Sequence, residues 1–322
     1  MGAYLDARGG VAVKREAYVF SIIALLLIAV FFGLLALRTE QAASSQSVHQ
    51  HVLSADRFLE QLEEDLPRAL RITAYRSLLG LEDHVSDSGE YLEDFSASFQ
   101  EIILNGTVNG TAYPVMEDAT LRVFEERMQE ISERVGLDLQ LAIPSVSARH
   151  ASPFEVEIVA EVQVFLQTRD AATSWNYTTN TSGVFSILQL RDPLYTVGTG
   201  GRVPVVVREV NVSRPYVTAD NDTTNLQVVY NNTLYHPDSL APSFLMRFEG
   251  DLSASAYGIA SLVDVQAFDV QEVPVYTDRS AVDYLYFGSS STSTNQIVNM
   301  PSVFLLDDEH LSVYDAQDAV VS

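Results

Sequence analysis

Residues 17–37 read AYVFSIIALLLIAVFFGLLAL, twenty-one in a row without a charge. A helix rises about 1.5 Å per residue and a bilayer core is about 30 Å thick, so this length matches one crossing. The stretch predicts a transmembrane helix at 17–37. Arg8, Lys14 and Arg15 precede it against Asp6 and Glu16, and only Arg38 follows closely. Basic residues beside a span stay cytoplasmic. The expectation is a single-pass protein of the cell membrane, with residues 1–16 as a cytoplasmic N-terminus or leader and the C-terminal domain extracellular. Membrane lipid is then a partner through residues 17–37. A cleaved secretory signal is the competing reading. Such signals have apolar cores of about 7 to 15 residues and a small-residue cleavage site. This core is longer, and Leu37-Arg38-Thr39-Glu40 is a poor site; Ala42-Ala43-Ser44-Ser45 is the better one.

Charge sets the next limit. The chain of 322 residues carries 19 basic and 43 acidic side chains, a net charge of −24. Nearly all of the acid lies beyond residue 37. Such a surface repels nucleic acid and anionic lipid headgroups, so no nucleic acid partner is expected. Lys14 is the only lysine. There is no cysteine, which excludes disulfides, zinc–thiolate sites, iron–sulfur clusters and thiol nucleophiles. The part beyond the apolar stretch, about 285 residues, is long enough to hold itself by its core, as two subdomains.

Seven acceptor sequences for N-glycosylation follow the apolar stretch. They begin at Asn105, Asn109, Asn176, Asn180, Asn211, Asn221 and Asn231. Seven of the eleven asparagines stand in such a setting, which agrees with an external placement. Polar loops rich in Asn and Thr are the plainer explanation.

Beyond residue 37 the helical pattern continues. Val48, Val52, Ala55, Leu59, Leu62, Leu66 and Ala69 recur at spacings of 4 and 3, a heptad stripe. The stripe predicts packing within the chain, or a homo- or hetero-oligomer through a helical stalk. Pro67 is expected to kink this helix or to start a new one, and Gly80 to stop it. Residues 88–104 read as a short helix, and residues 121–135 as another closed by Gly136. The reading is therefore a helical stalk and helical subdomain at 38–136.

The period changes near residue 137. From Phe154 to Gln167 apolar and polar residues alternate, the mark of a long strand. Further strands are expected at 139–147, 184–190, 203–212, 226–230, 243–249, 264–270 and 303–306, with Gly, Pro, Asn and Asp between them. The fold class expected is α+β: a single N-terminal transmembrane helix continuing into the stalk, then a β-rich extracellular head at 137–322. There is no GxGxxG, no GxxxxGK[ST] and no fixed-period repeat.

Arg8-Gly9-Gly10 ahead of an apolar helix resembles a type IV prepilin leader, with Gly9 and Gly10 as the candidate cleavage residues. It departs from that pattern in having Lys14 and Arg15 before the apolar run and Glu16 sixth after Gly10. With the RALRITAYRSLL helix and the strings at 186–195, 257–263 and 280–287, the chain resembles uncharacterised archaeal surface proteins with type IV pilin-like N-termini. The resemblance covers most of the chain and carries no catalytic residues. It implies a structural cell-surface role, as a pilin-like minor component or accessory of an archaeal type IV filament.

No catalytic, cofactor-binding or metal residue is assigned. The six histidines, at 49, 51, 84, 150, 236 and 310, lie in no HExxH or GxSxG setting. His49 and His51 with Asp56 do not share a helix face. Asp307-Asp308-Glu309-His310 offers oxygens for a divalent cation or simply a solvated turn. Asp220, Asn221, Asp222 and Asn225 echo a calcium loop but lack its glycine and distal glutamate. The alternative to a filament role is a membrane-anchored extracellular binding module for a sugar, protein or cation. An exposed groove of Trp175, Tyr177, Tyr284 and Tyr286 would favour it.

Overall fold

The computed structural model describes residues 9–169, 171, 173–288 and 293–321, with side chains at 28–34 and from 52 onward. The chain begins with one helix, α1 (Gly9–Ser88), of 80 residues and about 120 Å of axial rise. The apolar stretch and the stalk are therefore one element. Gly9 and Gly10 are its first two residues, and residues 1–8 lie outside the described residues.

The membrane reading is corrected. Among the described residues, no helix is long and apolar enough to cross a membrane. Within 17–37 the described side chains run only from Ile28 to Leu34, about 10 Å of rise against the roughly 30 Å of a bilayer core. The side chains at 17–27 and 35–37 lie outside the described residues. The transmembrane helix, the signal-anchor reading, the lipid contact and the assignment of a cytoplasmic N-terminus and extracellular C-terminal domain rested on that span. They are withdrawn with it.

From Ala55 onward α1 is the spine of the core. Ala55, Leu59, Leu62, Leu66, Leu70, Ala74, Leu78, Leu81 and Val85 are buried. The helix runs through Pro67 and past Gly80. Tertiary packing overrides both breakers here. A Cβ at Gly80 would meet the Ile102 side chain, so this glycine permits a close helix crossing instead of ending a helix. The crossing partner is α2 (Phe95–Asn105), capped by the Asp94 side chain, which accepts from the Ala97 N–H.

A two-residue hairpin follows, β1 (Thr107–Val108) and β2 (Thr111–Ala112). Asn109 and Gly110 both have positive φ, as a type I′ turn requires. Then comes α3 (Leu121–Arg134), with Thr120 as N-cap and Gly136, at φ +80°, just past its end. That ending matches the pattern read from the sequence.

Three long antiparallel strands form the one substantial sheet: β3 (Leu137–Ser152), β4 (Glu155–Thr168) and β5 (Ser174–Ser186), in the order β3-β4-β5. The register shifts between Ala142 and Ser145, where Pro144 has no N–H to give to a ladder. In β4, Val156, Ile158, Ala160, Val162, Val164 and Leu166 face inward and are buried in one cluster with α1. Burying each such side chain is worth about 1.5–3 kcal/mol. The other face of the sheet is polar, as period two dictates. Gly183 lets β5 lie against α1, because a Cβ there would come within 2.9 Å of the Pro67 carbonyl oxygen.

The rest of the head is not β-rich as expected. After β5 come α4 (Pro193–Gly198), α5 (Thr224–Asn231), β6 (His236–Pro237), α6 (Phe244–Arg247), β7 (Ile259–Ala260), α7 (Val265–Val270) and α8 (Asp283–Phe287). The chain closes with β8 (Thr294–Gln296), β9 (Leu305–Asp307) and α9 (Asp308–Leu311). The strands expected at 226–230, 243–249 and 264–270 are short helices, and 203–212 makes only isolated bridges at Val206 and Glu209. Short apolar runs carry no period that separates strand from buried helix. The α+β class holds, with the three-stranded sheet at 137–186 and only two-stranded pairings elsewhere among the described residues.

Candidate functional site

The C-terminal half of the head contains two buried charge networks. The first centres on Arg247, fully buried at the end of α6. Its Nη1 donates to Asp192 Oδ2 at 2.6 Å and to Asp283 Oδ2 at 2.8 Å, and its Nη2 donates to the Ile259 carbonyl. Both carboxylates are fully buried. Each also satisfies backbone: Asp192 Oδ1 accepts from Leu194 N–H and caps α4, while Asp283 accepts from the Ser261 and Tyr284 N–H groups. The Tyr235 hydroxyl donates to Asp192 Oδ2 at 2.7 Å. Burial works against the Arg247 charge, but the two carboxylates outweigh it and hold its pKa above the ordinary value. Burial raises the Asp192 carboxyl, with Arg247 opposing.

The second network centres on His310 in α9. Its Nδ1 donates to Asp307 Oδ1 at 2.7 Å and its Nε2 to Asp238 Oδ2 at 3.0 Å. Burial opposes the imidazolium, yet the two carboxylates lift its pKa to about 9. In return, His310 outweighs burial and pulls both aspartates below the usual carboxylate range. His236 nearby goes the other way: burial pushes its imidazole down to about 4. Two buried histidines thus hold opposite charge states at neutral pH.

A third buried charged site, apart from these networks, is Glu82 on α1. Its Oε1 accepts from the Arg191 N–H at 3.0 Å and its Oε2 from Arg191 Nε at 3.2 Å. Burial pushes the Glu82 carboxyl up to about 8, and Arg191 pulls it back only in part.

These networks do not have the geometry of a nucleophilic triad. A nucleophilic triad needs a basic imidazole nitrogen facing a hydroxyl. Here the Ser280 hydroxyl donates to Asp307 Oδ2 at 2.7 Å, so a carboxylate stands between the serine and His310. Both ring nitrogens of His310 already donate, leaving no lone pair to accept a proton. What the clusters do is hydrogen-bond loop backbone that no sheet or helix satisfies.

The sites weighed from sequence fall out as follows. Asp307 and His310 turn inward, whereas Asp308 turns to Ser293 and Asn295, so the 307–310 string does not converge on a cation. Asp222 caps Thr224, and the Asn225 side chain donates to the Ser213 and Pro215 carbonyls, which dissolves the calcium-loop echo. No group of three or more His, Asp or Glu among the described residues is placed to hold a metal ion. The side chains of His49 and His51 lie outside the described residues. The aromatic groove does not form: Tyr284 and Tyr286 are buried, and the Tyr177 hydroxyl donates to Glu63 of α1. Asn105, Asn109, Asn176, Asn180, Asn211 and Asn231 are exposed. Asn221 is half-buried, and the Thr223 of its acceptor sequence is buried.

Sequence reasoning missed Arg247, Asp192 and Asp283. A signal was available: Arg247 interrupts the apolar run Phe244-Leu-Met-Arg-Phe248, and a lone charge inside such a run asks for a buried partner.

The most unusual surface lies on α1 itself. All seven residues from Ile28 to Leu34 are exposed, with Ile28, Val30, Phe31, Phe32 and Leu34 between 53% and 63% accessible. They point to every side of the helix. Comparison with protein-family models, with curated proteins and with solved structures gave no match.

Proposed function

We propose that this chain is a structural, pilin-like subunit, a minor component or accessory of an archaeal type IV surface filament. The observation that carries the reading is the exposed apolar collar at Ile28–Leu34, on the same helix whose second half is the spine of the head. A helix apolar on all sides has no face to give to water and is stable only when surrounded. Equivalent helices of neighbouring copies surround it in a packed filament core. A long N-terminal helix laid on an antiparallel sheet supports the same reading.

The test is the double variant Phe31→Asp, Phe32→Asp in the full-length chain. Assembly into sedimentable filaments is expected to fall at least tenfold, while the near-ultraviolet circular dichroism of the head stays unchanged. Undiminished assembly would overturn the reading.

A further inference from the structure

The heptad face of α1 is used up inside the head, but its opposite face is open and has an unusual charge. Between Arg68 and Arg76 the exposed residues are Arg68, Arg71, Ile72 and Arg76, and α3 adds exposed Arg127 alongside. Arg68 is within 3.6 Å of Asp65. Arg71, Arg76 and Arg127 have no ion-pair partner among the described residues. Ile72 stands among them, 53% exposed. Shallow grooves flank it on both sides, one toward Val184 and Phe185 of β5 and one toward Phe124 of α3, where Asp118 also lies.

This ridge is an exception in a chain of net charge −24. At long range two copies repel each other, so any contact between them needs a local positive surface. The acidic counterpart is on the sheet. The outer face of the three-stranded sheet turns away from α1. It carries Asp138, Glu155, Glu157 and Glu161; among the described residues only Glu157 of these makes an ion pair, to Arg149 at 2.7 Å, while Glu155 and Glu161 accept from the neutral Ser152 and Gln163. Half-buried Val159 and Phe165 lie between them as apolar footing for a side chain such as Ile72.

We infer that the basic ridge Arg68–Arg76 of one copy docks on the acidic outer sheet face of a second copy of this chain. The two surfaces are different patches of one head, one on α1 and one on the sheet. The contact is therefore heterologous; repeated, it generates a ring or an open array, and the filament reading selects the open array. The inference deepens the filament reading and rests on it.

The absence of cysteine makes the test clean. In the full-length chain, Ile72→Cys and Gln163→Cys together place one thiol on each surface and remove no charge; Gln163→Cys removes only a neutral donor to Glu161. Mild oxidation at low ionic strength is expected to give a ladder of disulfide-linked oligomers, and each single variant at least tenfold less product. Adding Arg71→Glu and Arg76→Glu, or raising salt to about 1 M, where the screening length falls to about 3 Å, is expected to remove the ladder. A double variant that stays monomeric, or an Ile72→Cys variant that dimerises equally well alone, overturns the inference. Filaments without a ladder would reject this contact and leave the filament reading standing. A ladder in a chain whose filaments are unaffected by changes at Phe31 and Phe32 would reject that reading and keep the contact.

Discussion

The two halves of the head solve the same problem by different means. From α1 through β5, backbone groups are satisfied by long helices and a regular ladder, and the interior is apolar apart from Glu82 and a few hydroxyls. From residue 187 to 321 regular structure is scarce. There, buried carboxylates take over the role of the ladder. Asp192, Asp238, Asp283 and Asp307 each accept at least one backbone N–H. Arg247 and His310 neutralise them in pairs. A buried charge pair is weak evidence for added stability but is costly to break from one side. The difference teaches that irregular chain can be buried when its own side chains supply the missing partners.

The comparison is broken most directly at its ionic centre. Arg247→Met leaves two buried carboxylates facing each other, and is expected to lower unfolding free energy by about 3–5 kcal/mol in urea titration. His310→Ala removes the cation between Asp238 and Asp307 and is expected to cost about 3 kcal/mol. On the sheet side Val162→Ala deletes buried methyl groups and is expected to cost about 2 kcal/mol. If Val162→Ala cost more than Arg247→Met, the contrast between the halves would be wrong.

Acidity sharpens it further. The pKa of Glu82 is raised on folding, so its contribution is full below the ordinary carboxylate range and is lost as pH rises toward about 8. His310 is raised too, so its contribution is full below pH 6.5 and is lost as pH rises through about 9. Stability should fall from about pH 4.5 to about pH 9, first through Glu82 and then through His310, by at most about 1.4 kcal/mol per pH unit for each group. Glu82→Gln should remove the earlier part of this fall and leave the part due to His310, as followed by thermal melts across pH. An unchanged profile in Glu82→Gln would show that Glu82 is ionised in the folded chain. The smallest expected effect is Gly183→Ala, which crowds the Pro67 carbonyl and the Arg71 stem for about 1–2 kcal/mol, read by the same melts.

What was legible in the sequence follows the same division. The alternation in β4 and the closure of α3 by Gly136 are local signals, and each is where it was read. Pro67 and Gly80 misled because long-range packing sets their roles. The run at 226–230 misled because five apolar-rich residues fit a buried helix as well as a strand. Arg247 and the Asp307–His310 pair leave a trace in the sequence, but the pairings across the charge networks do not, because their members are spread from residue 192 to 310 and only the fold gathers them. The apolar run at 17–37 is plain in the sequence, but as a membrane crossing it finds no support among the described residues.

The central claim is that the exposed collar of α1 is covered by other copies in a filament. The measurement that tests it most directly is electron microscopy of filaments sheared from native cells, labelled with an antibody to the head. The account predicts label on the filaments, with loss of that label when Phe31 and Phe32 are replaced by Asp. Filaments that carry no label, with the chain recovered as a monomer, would contradict it.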